Sequence, residues 1–466
     1  MKRFQPLRAG AKKGLGVRSK GSKASSVVSK FLSGMGVKKN AVRKPTARAD
    51  ELPAAAAAAP SRRLSGALEA AAKGECARAP LSPLAGNGAA APAAPAEEPE
   101  PEPEPHPPVL VLHNPVVETH LVHAEHQERP ARTVAARRVG AAFAASRGGV
   151  AVDWAAGDGV TADDVTAAIL RAHSERYYGS LLRATRQAPL DASVVDLTPG
   201  GDTVGCRHSL DAARAAAAVG LAAVRAVCGR HGPRTAVCLV RPPGHHAARD
   251  GKTKIAPSQG FCLLNTAAIA ALEAASALGK ERVAVIDFDI HHGNGTQDIL
   301  AGDSRCLFAS VHAYGNGVYP GTGGPRDAAD VANVFNVPLR GMVDQTAFRG
   351  AVAAAADRVR AFAPDCVIFS AGFDGHRDDL AALGTLDAAD YGECTAALLA
   401  AADGAPCVSV LEGGYGSWCE PKKKAKPPPR AGGLSASIDD ARLASFDASL
   451  AAHLAAIADF HGGARL

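Results

Sequence analysis

The apolar positions of this chain fall into two textures that meet near residue 108. From Val109 onward, short runs rich in β-branched residues ("VLVLH", "RVAVIDFDI", "CVIFSAGF") alternate with long Ala-rich segments. In those segments ("SLDAARAAAAVGLAAVRAVCG", "NTAAIAALEAASALG", "AFRGAVAAAADRVRAF") the apolar residues recur at helical spacing. Continuous apolar strands separated by helices predict an α/β fold of three layers, a central and mostly parallel sheet with helices on both faces. In such folds ligands bind beyond the carboxyl ends of the strands. Chemistry is therefore expected where strands stop.

Before residue 108 neither period is present. "APAAPAEEPEPEPEPHPP" alternates Pro with Glu, which excludes a helix and predicts an extended polyproline-II spacer. The expected organisation is a basic disordered tail or targeting segment over 1–49, an Ala/Pro/Glu-rich linker over 50–108, and one domain over 109–466. A Pro- and Lys-rich insertion interrupts that domain at 417–440.

Charge sharpens this division. Residues 1–49 hold fourteen Lys and Arg and no acid, while the whole chain carries +6, so everything after the tail sums to −8 (6 − 14). The basic balance describes a tail and says nothing of the folded part. Ten cysteines without a Cys-x-x-Cys pair exclude a disulfide framework and point to a reducing compartment. No run reaches the roughly 20 apolar residues of a membrane span, and a soluble protein with no membrane contact is expected.

Two stretches carry candidate chemistry. "RVAVIDFDIHHGNGTQD" delivers Asp287, Asp289, His291 and His292 at the end of an expected strand, and "CVIFSAGFDGHRDD" delivers Asp374 at the equivalent end of another. Asp289 and His291 are two apart, so an extended backbone would point both to one face. Buried carboxylates are costly unless paired or bound to a metal. Asp289, His291 and Asp374 would make a site with three protein ligands and an open position, the pattern of catalytic rather than structural zinc. "RPPGHHAARDGK" then places His245 and His246 side by side on a loop, where neighbours point in different directions. Metal-assisted hydrolysis needs a base and an acid, and each imidazole needs an orienting partner. Asp287 and Asn294 are the available orienters.

These strings resemble the histone deacetylase superfamily, class II-like branch, on the arginase–deacetylase fold. The resemblance runs in order through "HQERPAR", "AHSERYYGSL", "GDTVGCRHS", "RPPGHHA", "GFCLLNTAAIA", "DFDIHHGNGTQD", "SVHAYGNGVYPGTG", "SAGFDGHRDD" and "LEGGYG". It implies one zinc per chain on Asp289, His291 and Asp374. His246 would be the general base, paired with Asn294, and His245, held by Asp287, the electrostatic partner and proton shuttle. Tyr415 would donate to the scissile carbonyl oxygen. Gly260 and Phe261, facing Tyr319, would wall a channel for an acylated lysine, with Gly413 and the rim acid Asp202 also on the substrate. A structural potassium ion would take ligands from Asp287, Asp289, His291, Ser310 and the Val311 carbonyl.

Plainer readings stand beside these. Phe261 and Tyr319 also read as core aromatics, Tyr415 as a turn residue, and Cys262 as a packed small residue rather than a nucleophile. The implied activity is zinc-dependent removal of acyl groups from lysine in histones or other proteins. The alternatives are an acetylpolyamine or other small acyl-amine amidohydrolase, and a non-catalytic acyl-lysine reader or scaffold. A dinuclear ureohydrolase would want an acid two residues beyond Asp374, where His376 stands. The tail reads as a nuclear or histone-like basic arm able to contact nucleic acid or another polyanion, which implies nucleus or cytoplasm and chromatin regulation. An organelle transit peptide, for plastid or mitochondrion, is the other reading.

Overall fold

The computed structural model describes residues 109–417 and 442–462, except 192, 316 and 329. The expectations for 1–108, and for the insertion beyond Ser417, lie outside the described residues.

Eight strands form one sheet. In chain order they are β1 (Val109–Leu112), β2 (Val150–Asp153), β5 (Thr235–Cys238), β6 (Val283–Asp287), β7 (Cys306–Tyr314), β8 (Val334–Arg340), β9 (Cys366–Ala371) and β10 (Cys407–Leu411). Their spatial order is β2-β1-β5-β10-β9-β6-β7-β8, and every pairing is parallel. A separate two-residue antiparallel ladder joins β3 (Val195–Asp196) to β4 (Val204–Gly205). The chain first builds outward on one side, jumps to β6, builds outward on the other, and returns through β9 and β10 to fill the middle. Such a reversal of strand order opens a crevice at the carboxyl edge.

The central strands are buried along their whole length, as in "VAVID" of β6 and "CVIFSA" of β9. Both faces therefore need cover. One core joins α2 (Ala162–Ala172), α4 (Ser209–Cys228) and α5 (Thr266–Ser276) to one face. The other joins α1 (Ala131–Ser146), α7 (Gln345–Phe362), α8 (Ala388–Ala401) and the C-terminal helix Ala444–Gly462 to the opposite face. The three Ala-rich segments are indeed α4, α5 and α7. Alanine has the best helix propensity and lets helices approach closely. Polar caps set where helices begin: Asp344 accepts from the Ala347 N–H, and Asp387 with Asp390 closes a capping box on α8. Among the described residues no helix is long and apolar enough to cross a membrane.

Candidate active site

β6 stops at Asp287, earlier than the run "RVAVIDFDI" suggests. The Asp289 N–H turns back onto the Asp287 carboxylate (3.1 Å) and the His291 N–H onto that of Asp289 (2.9 Å). Asp289 and His291 thus sit on a bent segment past the strand, not on extended backbone. They converge all the same. His291 Nδ1 lies 3.2 Å from Asp289 Oδ1 and 2.9 Å from Asp374 Oδ2, which arrives from the loop after β9. The three ligand atoms all lie within 4.8 Å of one another.

The set fits a divalent cation. Asp289 Oδ2 accepts from the Gly413 N–H (2.9 Å) and Asp374 Oδ1 from the Ile290 N–H (3.0 Å), which turns the other oxygen of each carboxylate toward His291. Both acids are fully buried. Burial disfavours an imidazolium, yet Asp374 and Asp289 outweigh it and push His291 up to about 10. A cation among these three atoms would take over the charge that His291 otherwise supplies, releasing its proton. Gly413, expected on the substrate, serves here instead: a Cβ on it would come 2.4 Å from Asp289 Oδ2 and 2.7 Å from Asp374 Oδ2. Only glycine lets this backbone close behind the ligands.

A second group of possible ligands, His245, Cys262 and Glu412, stands beside the first. Its atoms are already engaged. Glu412 accepts from the N–H groups of Gly244 (2.7 Å) and His245 (3.1 Å) and from the Ser370 hydroxyl (2.9 Å). His245 Nδ1 is bonded to Asp287, and the Cys262 sulfur accepts from the His246 N–H. Burial and the nearby Glu412 keep the Cys262 thiol well above its usual value, so it is a packed thiol and not a nucleophile.

The histidine pair corrects one expectation. His245 and His246 do not diverge: their ring centroids lie 4.0 Å apart, tilted by 42°. Both rings are drawn toward the segment after β6, His245 Nδ1 to Asp287 Oδ2 (2.9 Å) and His246 Nδ1 to Asn294 Oδ1 (2.7 Å). The Asn294 amide donates in turn to the Thr253 hydroxyl (2.8 Å), which fixes its oxygen toward His246. Burial lowers both imidazoles. At His245 the carboxylates of Asp287 and Asp289 reverse this and hold it well above the usual range. At His246 the neighbouring His245 and His291 add to burial and hold it well below. One carboxylate and one amide as orienters thus separate two adjacent imidazoles.

The Phe261 ring stands edge-on to Tyr415 (5.8 Å) and to His126 (4.7 Å), while Tyr319 stands edge-on to His246 (4.8 Å). Gly260 lies against Tyr319: at φ +53° a Cβ on it would lie 2.5 Å from the His246 ring and 2.9 Å from the Tyr319 ring. Phe261 itself has φ +67°, a strained conformation for a bulky residue and one that clusters at functional sites. Burial and Asp374 push the Tyr415 hydroxyl well above its usual value, so it keeps its proton and can donate. Asp202 is half-buried and bonds the hydroxyls of Thr203 and Ser258. Of the residues expected around a monovalent cation, register pairs Asp287 with Ser310, and Val311 follows; the Ser310 hydroxyl also meets His312 Nδ1 at 2.9 Å.

Sequence reasoning gave no role to the residues that hold these loops. Glu128, Arg132 and Arg241 are fully buried. Glu128 takes Arg241 in a bidentate pair (2.9 and 2.8 Å) and Arg132 at 3.1 Å. Arg132 then donates to the carbonyls of Gly414 (2.6 Å) and Glu412 (2.5 Å) and lies over the Tyr415 ring, 4.9 Å from its centroid. Asp379 accepts from the Tyr415 and Gly416 N–H groups at 2.7 and 2.9 Å. An exposed pair such as Arg138–Asp447 contributes about 0–1 kcal/mol. Removing one partner of a buried pair costs about 3–5 kcal/mol, so the Glu128 network is what fixes the site. The signal was present in "HQERPAR", "RPPGHH" and "LEGGYG", as charges inside apolar surroundings.

Comparison with known proteins agrees with this geometry. Residues 126–422 match the family model described as "Histone deacetylase domain". Type-2 histone deacetylase 2 of Dictyostelium discoideum is 41% identical over 229 residues, 46% of this chain and 13% of that protein. An uncharacterized protein of Synechocystis is 35% identical over 312 residues, 66% of this chain and 94% of that protein. Histone deacetylase 14, chloroplastic, of Arabidopsis thaliana is 34% identical over 261 residues, 53% of this chain and 59% of that protein. Among solved structures, the HDA15 HD domain superposes with a TM-score of 0.60 at 28% identity, covering 76% of this chain and 90% of that one. An acetylpolyamine aminohydrolase from Burkholderia pseudomallei gives 0.57 at 26% identity, covering 76% and 99%. The chain belongs to the histone deacetylase domain family, and it spans only part of the length of several of these relatives, 13% of the Dictyostelium protein and 59% of the Arabidopsis one.

Proposed function

We propose that this protein is a zinc-dependent lysine deacylase acting on acetylated lysine in histones or other proteins. The observation that carries this reading is the pair of imidazoles, one oriented by a carboxylate and one by an amide, beside three converging ligands. Asp289, His291 and Asp374 would hold the metal ion. When bound, it would polarise an amide carbonyl and make water more acidic.

The chain's own groups supply the rest. His246 donates an Nδ1–H hydrogen bond to the Asn294 Oδ1, so its Nε2 carries the lone pair and takes the proton of the attacking water. His245, held as a cation against Asp287, shuttles a proton to the departing lysine amine. Tyr415 donates to the oxygen on which charge develops. Phe261, Gly260 and Tyr319 shape an apolar passage for the lysine stem. Asp287, Asp289, His291, Ser310 and the Val311 carbonyl are the proposed ligands of a structural potassium ion.

The test is acetate release from an acetyl-lysine peptide by the metal-loaded protein. Peptide binding without release would mean a reader. The likeness to an acetylpolyamine aminohydrolase favours a second reading, and higher kcat/KM on an acetylated polyamine than on the peptide would establish it. For location, the basic tail supports a nuclear or cytoplasmic protein with polyanion contact, whereas a chloroplastic relative supports a transit peptide. Sequencing the amino terminus of the mature protein distinguishes these.

A further inference from the structure

At the opposite edge of the sheet from the site, two thiols meet. Cys228 is the last residue of α4 and Cys366 the first of β9, and their sulfurs are 3.9 Å apart. They differ in surroundings. Cys366 is fully buried. Cys228 is half-buried and opens on a cleft of about 390 Å³ that is also lined by Arg230, Arg234, Lys280, Pro233 and Pro406. The other described cysteines, Cys206, Cys238, Cys262, Cys306, Cys394 and Cys407, are buried.

The chemistry of the pair is directional. A helix carboxyl end disfavours negative charge. The Cys366 thiol against Cys228, together with the Lys280 ammonium, outweighs burial and the Asp365 carboxylate and holds the Cys228 thiol below its usual value. A thiolate that is partly exposed and flanked by cations is the reactive kind. A second thiol in contact is what resolves an oxidised first one.

We propose that Cys228 and Cys366 form a peroxide-sensitive dithiol site that closes to a reversible disulfide. The Cys228 thiolate attacks one oxygen of hydrogen peroxide, breaking the O–O bond and giving Cys228 sulfenic acid and hydroxide. The Cys366 sulfur then attacks the Cys228 sulfur, and the sulfenic oxygen leaves as water with the Cys366 proton. Two thiols and one peroxide thus become one disulfide and two waters. The sulfurs must approach from 3.9 Å to about 2.05 Å. Cys228 is followed by Gly229, where α4 ends in extended backbone, so the closing movement falls on a helix terminus rather than on the sheet. The bond would tie α4 to the base of the strand that leads to Asp374.

The test uses the full chain. Reduced protein is treated with hydrogen peroxide, blocked with N-ethylmaleimide as it is denatured, digested without reductant and mapped by mass spectrometry. The expected result is a Cys228 peptide joined to a Cys366 peptide, with two thiols lost per chain and both restored by dithiothreitol. In Cys228→Ser the link and that loss disappear. In Cys366→Ala, Cys228 stops at a sulfenic acid that dimedone traps; if this variant fails to fold, Cys228→Ser decides alone. Cys228 left as a thiol, driven to sulfinic or sulfonic acid without a link, or joined to another cysteine or another copy of the chain, would overturn the proposal.

Discussion

Two groups of ligating side chains lie side by side at the carboxyl edge of the sheet, and distance does not tell them apart. Asp289, His291 and Asp374 converge, and so do His245, Cys262 and Glu412. The difference is in what each donor already does. In the first group Asp374 is steadied by one N–H and Asp289 by two, and each acid still turns an oxygen on a single imidazole. In the second, both Glu412 oxygens hold the chain: one binds two backbone N–H groups of the histidine loop, the other a serine hydroxyl. Spatial convergence defines a candidate metal site; uncommitted lone pairs decide it. On this reading the first group is the proposed cation site and the second holds the loop beside it.

The comparison breaks most sharply at the ligands. Asp374→Ala should lose both bound zinc and acetate release, to background, by elemental analysis and a coupled acetate assay. Wild-type protein should carry one zinc per chain, and two would mean that the second group also ligates. Tyr415→Phe separates holding the metal from using it. Zinc content should stay at the wild-type level while turnover falls by about 10²–10³, the usual effect of losing one oxyanion donor. Full turnover would remove Tyr415 from that role. Glu412→Gln keeps the shape but weakens the charge-assisted bonds to Gly244 and His245. It should keep zinc and lower kcat by roughly tenfold, with KM little changed; zinc loss would make Glu412 a ligand. Cys262→Ala should do least, keeping zinc and holding the rate within about threefold, about 0.7 kcal/mol of barrier.

Much of this was legible in the chain. The strands and Ala-rich helices announce themselves by period, and Asp289, His291 and Asp374 by being ionisable where an apolar strand ends. The orienting partners Asp287 and Asn294 were legible, but not that they draw the two rings to within 4.0 Å of each other, because loop side chains follow partners on a distant segment. Nor was the positive φ at Phe261, since no local pattern marks a left-handed backbone at a bulky residue. Glu128, Arg132 and Glu412 stand inside quoted motifs, yet their work is to hold side chains and backbone 113 to 282 residues away, and no local pattern encodes that separation.

That separation has a consequence in time. Arg132 precedes the Gly414 carbonyl it grips by 282 residues. At a synthesis rate of roughly 5–20 residues per second, its guanidinium waits on the order of 15–55 s for that partner to leave the ribosome. Until β10 and the turn after it emerge, the Glu128, Arg132 and Arg241 charges belong to an interior that does not yet exist. An incomplete chain therefore carries Arg132 without its carbonyl partners, and a change at Arg132 should lower the yield of folded protein during synthesis as well as the melting temperature of molecules that finish.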